Sequence, residues 1–173
     1  MARIIRYRVS AALALLACAP LQAVEAPAAP EGFGAYIAQA QAIVQAFESG
    51  AAPASQREAL ASLAGRAADL VPAFSARHPV CRDYLAAALP LHERWSELTL
   101  AQIERDYHHD AALPKIASAG DHGLCYQMKD LLVHPLTALR MLGEPEVDRA
   151  GITHEITEVV AHGRALQALE AAR

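Results

Sequence analysis

The sequence predicts an all-α fold: a bundle of five to six helices, four of them long, preceded by a cleaved signal peptide. Three observations carry that reading. Apolar residues recur at spacings of three and four along most of the chain after residue 35. No segment alternates apolar and polar residues over a useful strand length. Helix start and stop signals cut the periodic pattern into pieces of ordinary helix length.

The chain has 173 residues, enough for one domain. Residues 1–23 read as a secretory signal: Arg3, Arg6 and Arg8 precede a short apolar run from Val9 to Ala17, and small residues follow. The run is far shorter than the roughly 20 residues that span a bilayer, and no other stretch is a candidate span. Cleavage after Ala23 gives a periplasmic or secreted protein. The alternative cleavage, before Cys18 in "LLAC", resembles the bacterial lipoprotein signal; lipid on Cys18 would then anchor the domain to a membrane surface. Residues 24–31, "VEAPAAPE", form a flexible tether, and residues 32–173 the single folded domain.

The helices follow in order. Tyr36/Ile37, Ala40, Ile43/Val44 and Phe47 form one apolar stripe, stopped by Ser49-Gly50. "SQRE" (Ser55–Glu58) has the pattern of a capping box, and the stripe Leu60, Leu63, Ala67, Leu70, Phe74 follows. Pro72 is expected to end or kink that helix. Another helix starts near Val80 and carries Tyr84, Leu85, Ala88, Leu91, Trp95 and Leu98, broken at Pro90. Thr99–Gln102 is a second capping box, heading a helix with Ile103 and Tyr107. "LPKIASAGDHG" is the longest internal loop candidate. The next segment, "LCYQMKDLLVHPLTALRML", is helical and apolar, with an interruption expected at His134-Pro135, where His134 would cap a second helical piece. Val147 to Ala172 reads as one long helix with the stripe Ile152, Ile156, Val159, Gly163, Leu166, Leu169.

Losing residues 1–23 removes three arginines and no acid, so the formal net charge moves from −4 to −7. An acidic domain lacks the electrostatic footprint of a nucleic-acid binder. Two cysteines remain, Cys81 and Cys125, and an even pair in an exported chain reads first as a disulfide. Each also lies three residues after a histidine, so His78, Cys81, His122 and Cys125 form an alternative two-His, two-Cys metal set.

Six of the eight histidines and the only tryptophan fall between residues 78 and 142, which points to the middle of the chain for function. Trp95, Tyr107, His108, His122, Tyr126 and His134 are the candidate ligand pocket. Lys129-Asp130 reads as an internal ion pair. Glu104/His108 and His154/Glu158/His162 are spaced at helical steps of four; on facing helices they could hold a metal ion, although such spacing also suits a solvated helix face. His134, set among leucines, could instead ligate haem b, with Met128 or Met141 as partner. The motif search finds no phosphate loop, no nucleophile-plus-base arrangement and no His-Glu-x-x-His.

The leading expectation is a non-enzymatic periplasmic binding or accessory protein without a cofactor. Its small-molecule or protein partner would engage residues 92–134. A metal- or haem-binding bundle is one alternative, and a small enzyme with a His/Asp site the other. No nucleic-acid partner is expected, and membrane attachment only through lipid on Cys18.

Overall fold

A computed structural model describes residues 31–172, all of whose regular structure is helical. The expected signal, Cys18 and nearly all of the tether lie outside these residues. Four long helices carry the core: α1 (Glu31–Glu48), α2 (Arg57–Arg77), α6 (Ala119–Met141) and α7 (Arg149–Ala171). Between α2 and α6 the chain runs through short pieces: α3 (Arg82–Ala88), α4 (Leu91–Arg94) and α5 (Leu100–Ile103), the last continuing as a wide π-turn over Glu104–His108. Glu31 is already helical, so α1 begins before the apolar stripe does.

The long helices close into a ring in which α1 packs on α2 and α7, and α6 packs on α7 and α2. The short segments lie along α6. That helix is therefore enclosed, and every residue from Met128 to Leu139 is buried. Its near-continuous apolar sequence has this physical cause, since a helix covered on all sides needs no polar face. The stripes of α1, α2 and α7 supply the facing side chains; Leu169 alone of the α7 stripe is exposed. Helix α7 approaches α1 so closely at Gly163 that a Cβ there would stand 2.7 Å from Ile37 Cγ1, which excludes any larger residue without a shift.

Three local expectations change. The first capping box does not form: Pro53–Gln56 is a short 3₁₀ turn, and the Ser55 hydroxyl donates to Ala52 O within it, whereas the second box, at Thr99 and Gln102, forms as read. Pro72 and Pro135 neither end nor interrupt their helices. His134 accordingly sits in mid-helix and is not a cap. A proline removes only one amide donor, which deprives the carbonyl four residues earlier of its partner. At Pro135 that carbonyl is Leu131 O, and the buried Tyr36 hydroxyl of α1 donates to it. The tertiary bond replaces the helical one, and α6 runs on.

Arginines close other ends. Arg149 donates to Phe47 O and Ala51 O at the end of α1, and Arg57 to Leu142 O after α6. Cys81, just before α3, and Cys125 of α6 are bonded, with Cα atoms 5.2 Å apart. A link that spans 44 residues stabilises a fold by roughly 4 kcal/mol on the chain-entropy account. No helix among the described residues is long and apolar enough to cross a membrane.

Tyr36→Phe should leave Leu131 O buried without a donor, at a cost of about 1–3 kcal/mol in denaturant unfolding. An unchanged midpoint would show that the carbonyl finds another partner.

Candidate functional site

Three segments bring polar side chains into the centre of this apolar bundle. Helix α6 contributes Gln127, Lys129, Asp130 and His134. Helix α7 contributes Glu155, Glu158 and His162, and the π-turn contributes His108. Asp130 and His134 are four residues apart and so share one face of α6. They belong to its fully buried stretch.

Lys129 fixes the π-turn against α6. Its ammonium is wholly buried and donates to Tyr107 O, His108 O and Asp110 Oδ1, each at 2.9 Å. It also lies 2.8 Å from Asp130 Oδ1 and 4.0 Å from the Tyr126 ring centre. The expected Lys129–Asp130 pair is thus one part of a larger clamp. Asp110 turns back to reach it through a left-handed backbone conformation (φ 61°), which a short polar residue tolerates better than most. The Tyr84 hydroxyl donates to the same Asp110 oxygen at 2.7 Å. Burial, then the charge and hydrogen bond of Asp110, raise the Tyr84 pKa far above that of a free phenol.

The three central imidazoles are held alike. Each has Nδ1 against an oxygen: His108 on Glu104 Oε2 at 3.0 Å, His134 on Glu155 Oε2 at 2.8 Å, His162 on Gln127 Oε1 at 2.6 Å. An acceptor at Nδ1 sets the tautomer and leaves Nε2 with a lone pair. The rings cluster, with His108 and His162 centred 4.8 and 4.9 Å from His134. Two sets of possible ligand atoms overlap at His134. His108, Asp130 and His134 lie within 4.8 Å of one another, and so do His134, Glu158 and His162.

The distances between these atoms are informative. His134 Nε2 stands 3.4 Å from Glu158 Oε2, and His162 Nε2 3.5 Å from Asp130 Oδ2. His134 Nε2 and both Asp130 oxygens are buried, yet none of the three makes a well-directed hydrogen bond among the described residues. Asp130 Oδ1 is compensated by the Lys129 ammonium at 2.8 Å, but His134 Nε2 has no such partner, and a buried group left unpaired costs about 1–3 kcal/mol. Separations of 3.4–3.5 Å are loose for a hydrogen bond. They match the edge of a tetrahedron around an ion with bonds of about 2.1 Å, whose ligands stand roughly 3.4 Å apart.

The residues singled out from sequence are distributed as follows. His108 and His134 of the expected pocket meet at the centre. Tyr126 stands beside them, 6.0 Å from the His162 ring, and stacks on His122, which is half exposed near Asp110. Trp95 and Tyr107 pack on the apolar core, and Tyr107 serves through its carbonyl. Of the expected metal set, His108, Glu158 and His162 reach the centre. Glu104 lies behind His108 as its orienting acceptor, and His154 is exposed beside Glu158. The two-His, two-Cys set is overturned: its sulfurs bond each other, His78 pairs with Glu170 at 2.9 Å, and His122 faces Asp110. Sequence reasoning gave Asp130 no ligand role, and it named His134 for a pocket or haem. Their signal was a carboxylate and an imidazole four apart in the most apolar stretch of the chain.

A cleft of about 730 Å³ opens on the far side of Asp110, lined by Tyr84, His109, Asp110, Lys115, Ile116 and His122 among others. It is separate from the imidazole cluster and joined to it through Asp110 and Lys129.

No protein-family model matches the chain, and neither a curated protein nor a solved structure matches it.

Lys129→Met should destabilise the fold by about 3–5 kcal/mol, since it strands a buried carboxylate and two carbonyls. Adding Asp130→Asn should recover part of that loss in the same denaturation measurement. Burial lowers the His162 pKa, with Asp130 pulling the other way. Its NMR titration should fall below the 6.5 of a free imidazole. The folded state resists protonation there, so the stability this group contributes is present above pH 6.5 and is lost as the pH falls through the folded value.

Proposed function

We propose that this protein is an exported helical bundle whose role is to bind a divalent transition-metal ion at two overlapping donor sets that share His134: His108, Asp130 and His134, and His134, Glu158 and His162. The observation that carries the reading is the buried His134 Nε2, which has no hydrogen-bond partner among the described residues, beside the buried Asp130 carboxylate and at the meeting point of imidazoles already oriented through Nδ1. Histidines that ligate metals almost always donate their other N–H to a carboxylate or carbonyl. Here Glu104, Glu155 and the Gln127 side-chain carbonyl provide those acceptors. Acidic groups also outnumber cations: Asp130, Glu155 and Glu158 surround the centre, and Lys129 divides its single charge between Asp130 and Asp110. A dication offsets that excess. Two imidazole nitrogens and one carboxylate in each set suit zinc, copper, nickel or ferrous iron over magnesium or calcium, which prefer oxygen.

Export is part of the same proposal, supported by the charged, apolar and small-residue regions of residues 1–23 and by a bonded cysteine pair, which persists in oxidising compartments. The haem alternative is weaker. The His108 and His162 rings, under 5 Å from His134, take up the space that an axially ligated macrocycle would need. For a small-molecule or protein partner, the leading reading of the sequence, the cleft beside Asp110 is the available concavity, and of the six pocket residues expected from sequence only His122 lines it.

Elemental analysis after loading with zinc or copper and desalting should give about one ion per chain. His134→Ala or Asp130→Asn should abolish retention. Glu155→Gln removes no ligand but weakens the anchor of His134, and should reduce affinity by about 10–100-fold in a chelator competition. A parent protein that retains no ion, or retains one equally well as His134→Ala, would refute the proposal.

A further inference from the structure

The metal-binding reading leaves a question of access, because His134 and Asp130 are sealed from solvent. Glu158 connects them to the surface. Its Oε2 lies 3.4 Å from His134 Nε2, and its Oε1 lies 3.4 Å from His154 Nε2, one turn earlier on α7. Side-chain exposure falls steadily along this line, from 70% at His154 through 36% at Glu158 to 1% at His134. His162, on the next turn of α7, is 17% exposed, and Asp130 beyond it 0%. The two overlapping donor sets share His134; the one with Glu158 opens on this line, while the other has two fully buried members, Asp130 and His134, and His108 at 22% exposure on the π-turn side. His134, Glu158 and His162 form the outer one, and His108, Asp130 and His134 the inner one.

We propose that His154 and Glu158 form an entry station for the ion. A partly hydrated divalent cation is first caught at the surface by His154 Nε2 and Glu158 Oε1. The Glu158 carboxylate then carries it inward by exchanging His154 for His134 and His162, and the ion settles between His108, Asp130 and His134. At each exchange one protein donor replaces another or a water, so the cation is never stripped of ligands in the apolar interior. Removal of several waters at once from a small dication would be far slower. His134 belongs to both donor sets and serves as the pivot. His154 is a transit residue and no part of the final shell.

The proposal rests on the metal-binding reading, and kinetics separate the two. Cobalt(II), whose visible absorption reports tetrahedral or five-coordinate ligation, can be followed on mixing with the full-length mature protein, and its release followed with excess EDTA. His154→Ala changes an exposed side chain and should leave the fold intact. It should slow loading by about tenfold, the low end of the gain that charge focusing gives to association. Release should slow by the same factor, so that the equilibrium dissociation constant is unchanged. His154→Lys, which places a cation at the mouth, should slow both further. Loading and release at parental rates in both variants would overturn the entry station. So would a weakened equilibrium constant with an unchanged loading rate, which would make His154 a resident ligand. Failure of the parent protein to take up cobalt or zinc at all would sink the metal-binding reading itself, and the entry path with it.

Discussion

The whole polar interior depends on one ammonium group. Lys129 is enclosed in an apolar bundle, where an unpaired charge would be prohibitively costly, and it is tolerated because four oxygens surround it. Two of these are backbone carbonyls of the π-turn. A wide turn exposes carbonyls that a regular helix would use internally, so the irregular backbone and the buried cation satisfy each other. The result is a fixed distance between the turn and α6, and therefore a fixed place for the His108 ring against His134.

From that clamp outward, the site is built of pairs in which one residue faces the centre and another holds it from behind. Glu104 stands behind His108, Glu155 behind His134 and Gln127 behind His162. Most of these supporting groups are partly exposed, so their desolvation is modest. Of the groups they orient, His134 is deeply buried, and His108 and His162 are partly exposed. Hydrogen bonds from His108 and His109 hold Glu104 below the usual carboxylate range despite the opposing effect of burial, so it remains an anion able to accept from His108. Stability alone would favour leucines at these positions. The bundle instead gathers three imidazoles and two carboxylates at its centre.

Much of the fold was legible in the sequence, because amphipathic stripes report directly which face of a helix is covered. The stripes of α1, α2 and α7 point inward nearly as read, and the paired cysteines bond. At Pro135 a rule about local chain preference was overruled by a contact from a distant residue. Pro135 looked like a break because nothing near it in sequence supplies the missing donor, yet Tyr36, 95 residues away from Leu131, does so. The site was legible only in fragments. His108, Glu158 and His162 were found by their four-residue spacing, but His154 and Glu104 share that spacing and lie away from the centre. Spacing gives the face of a helix, not which turn of it meets a neighbour. Asp130 escaped notice as a ligand since its adjacent lysine explained it too easily.

The covalent link between Cys81 and Cys125 also governs when the site is complete. Cys125 lies one turn before Lys129 on α6, and Cys81 lies just ahead of Tyr84, whose hydroxyl steadies Asp110. The sulfur bridge is therefore a strut beneath the lysine clamp. A chain with both thiols reduced keeps every donor atom but loses the brace that holds α3 beside α6. Assembly of the histidine and aspartate centre is in this way tied to oxidation of the cysteine pair.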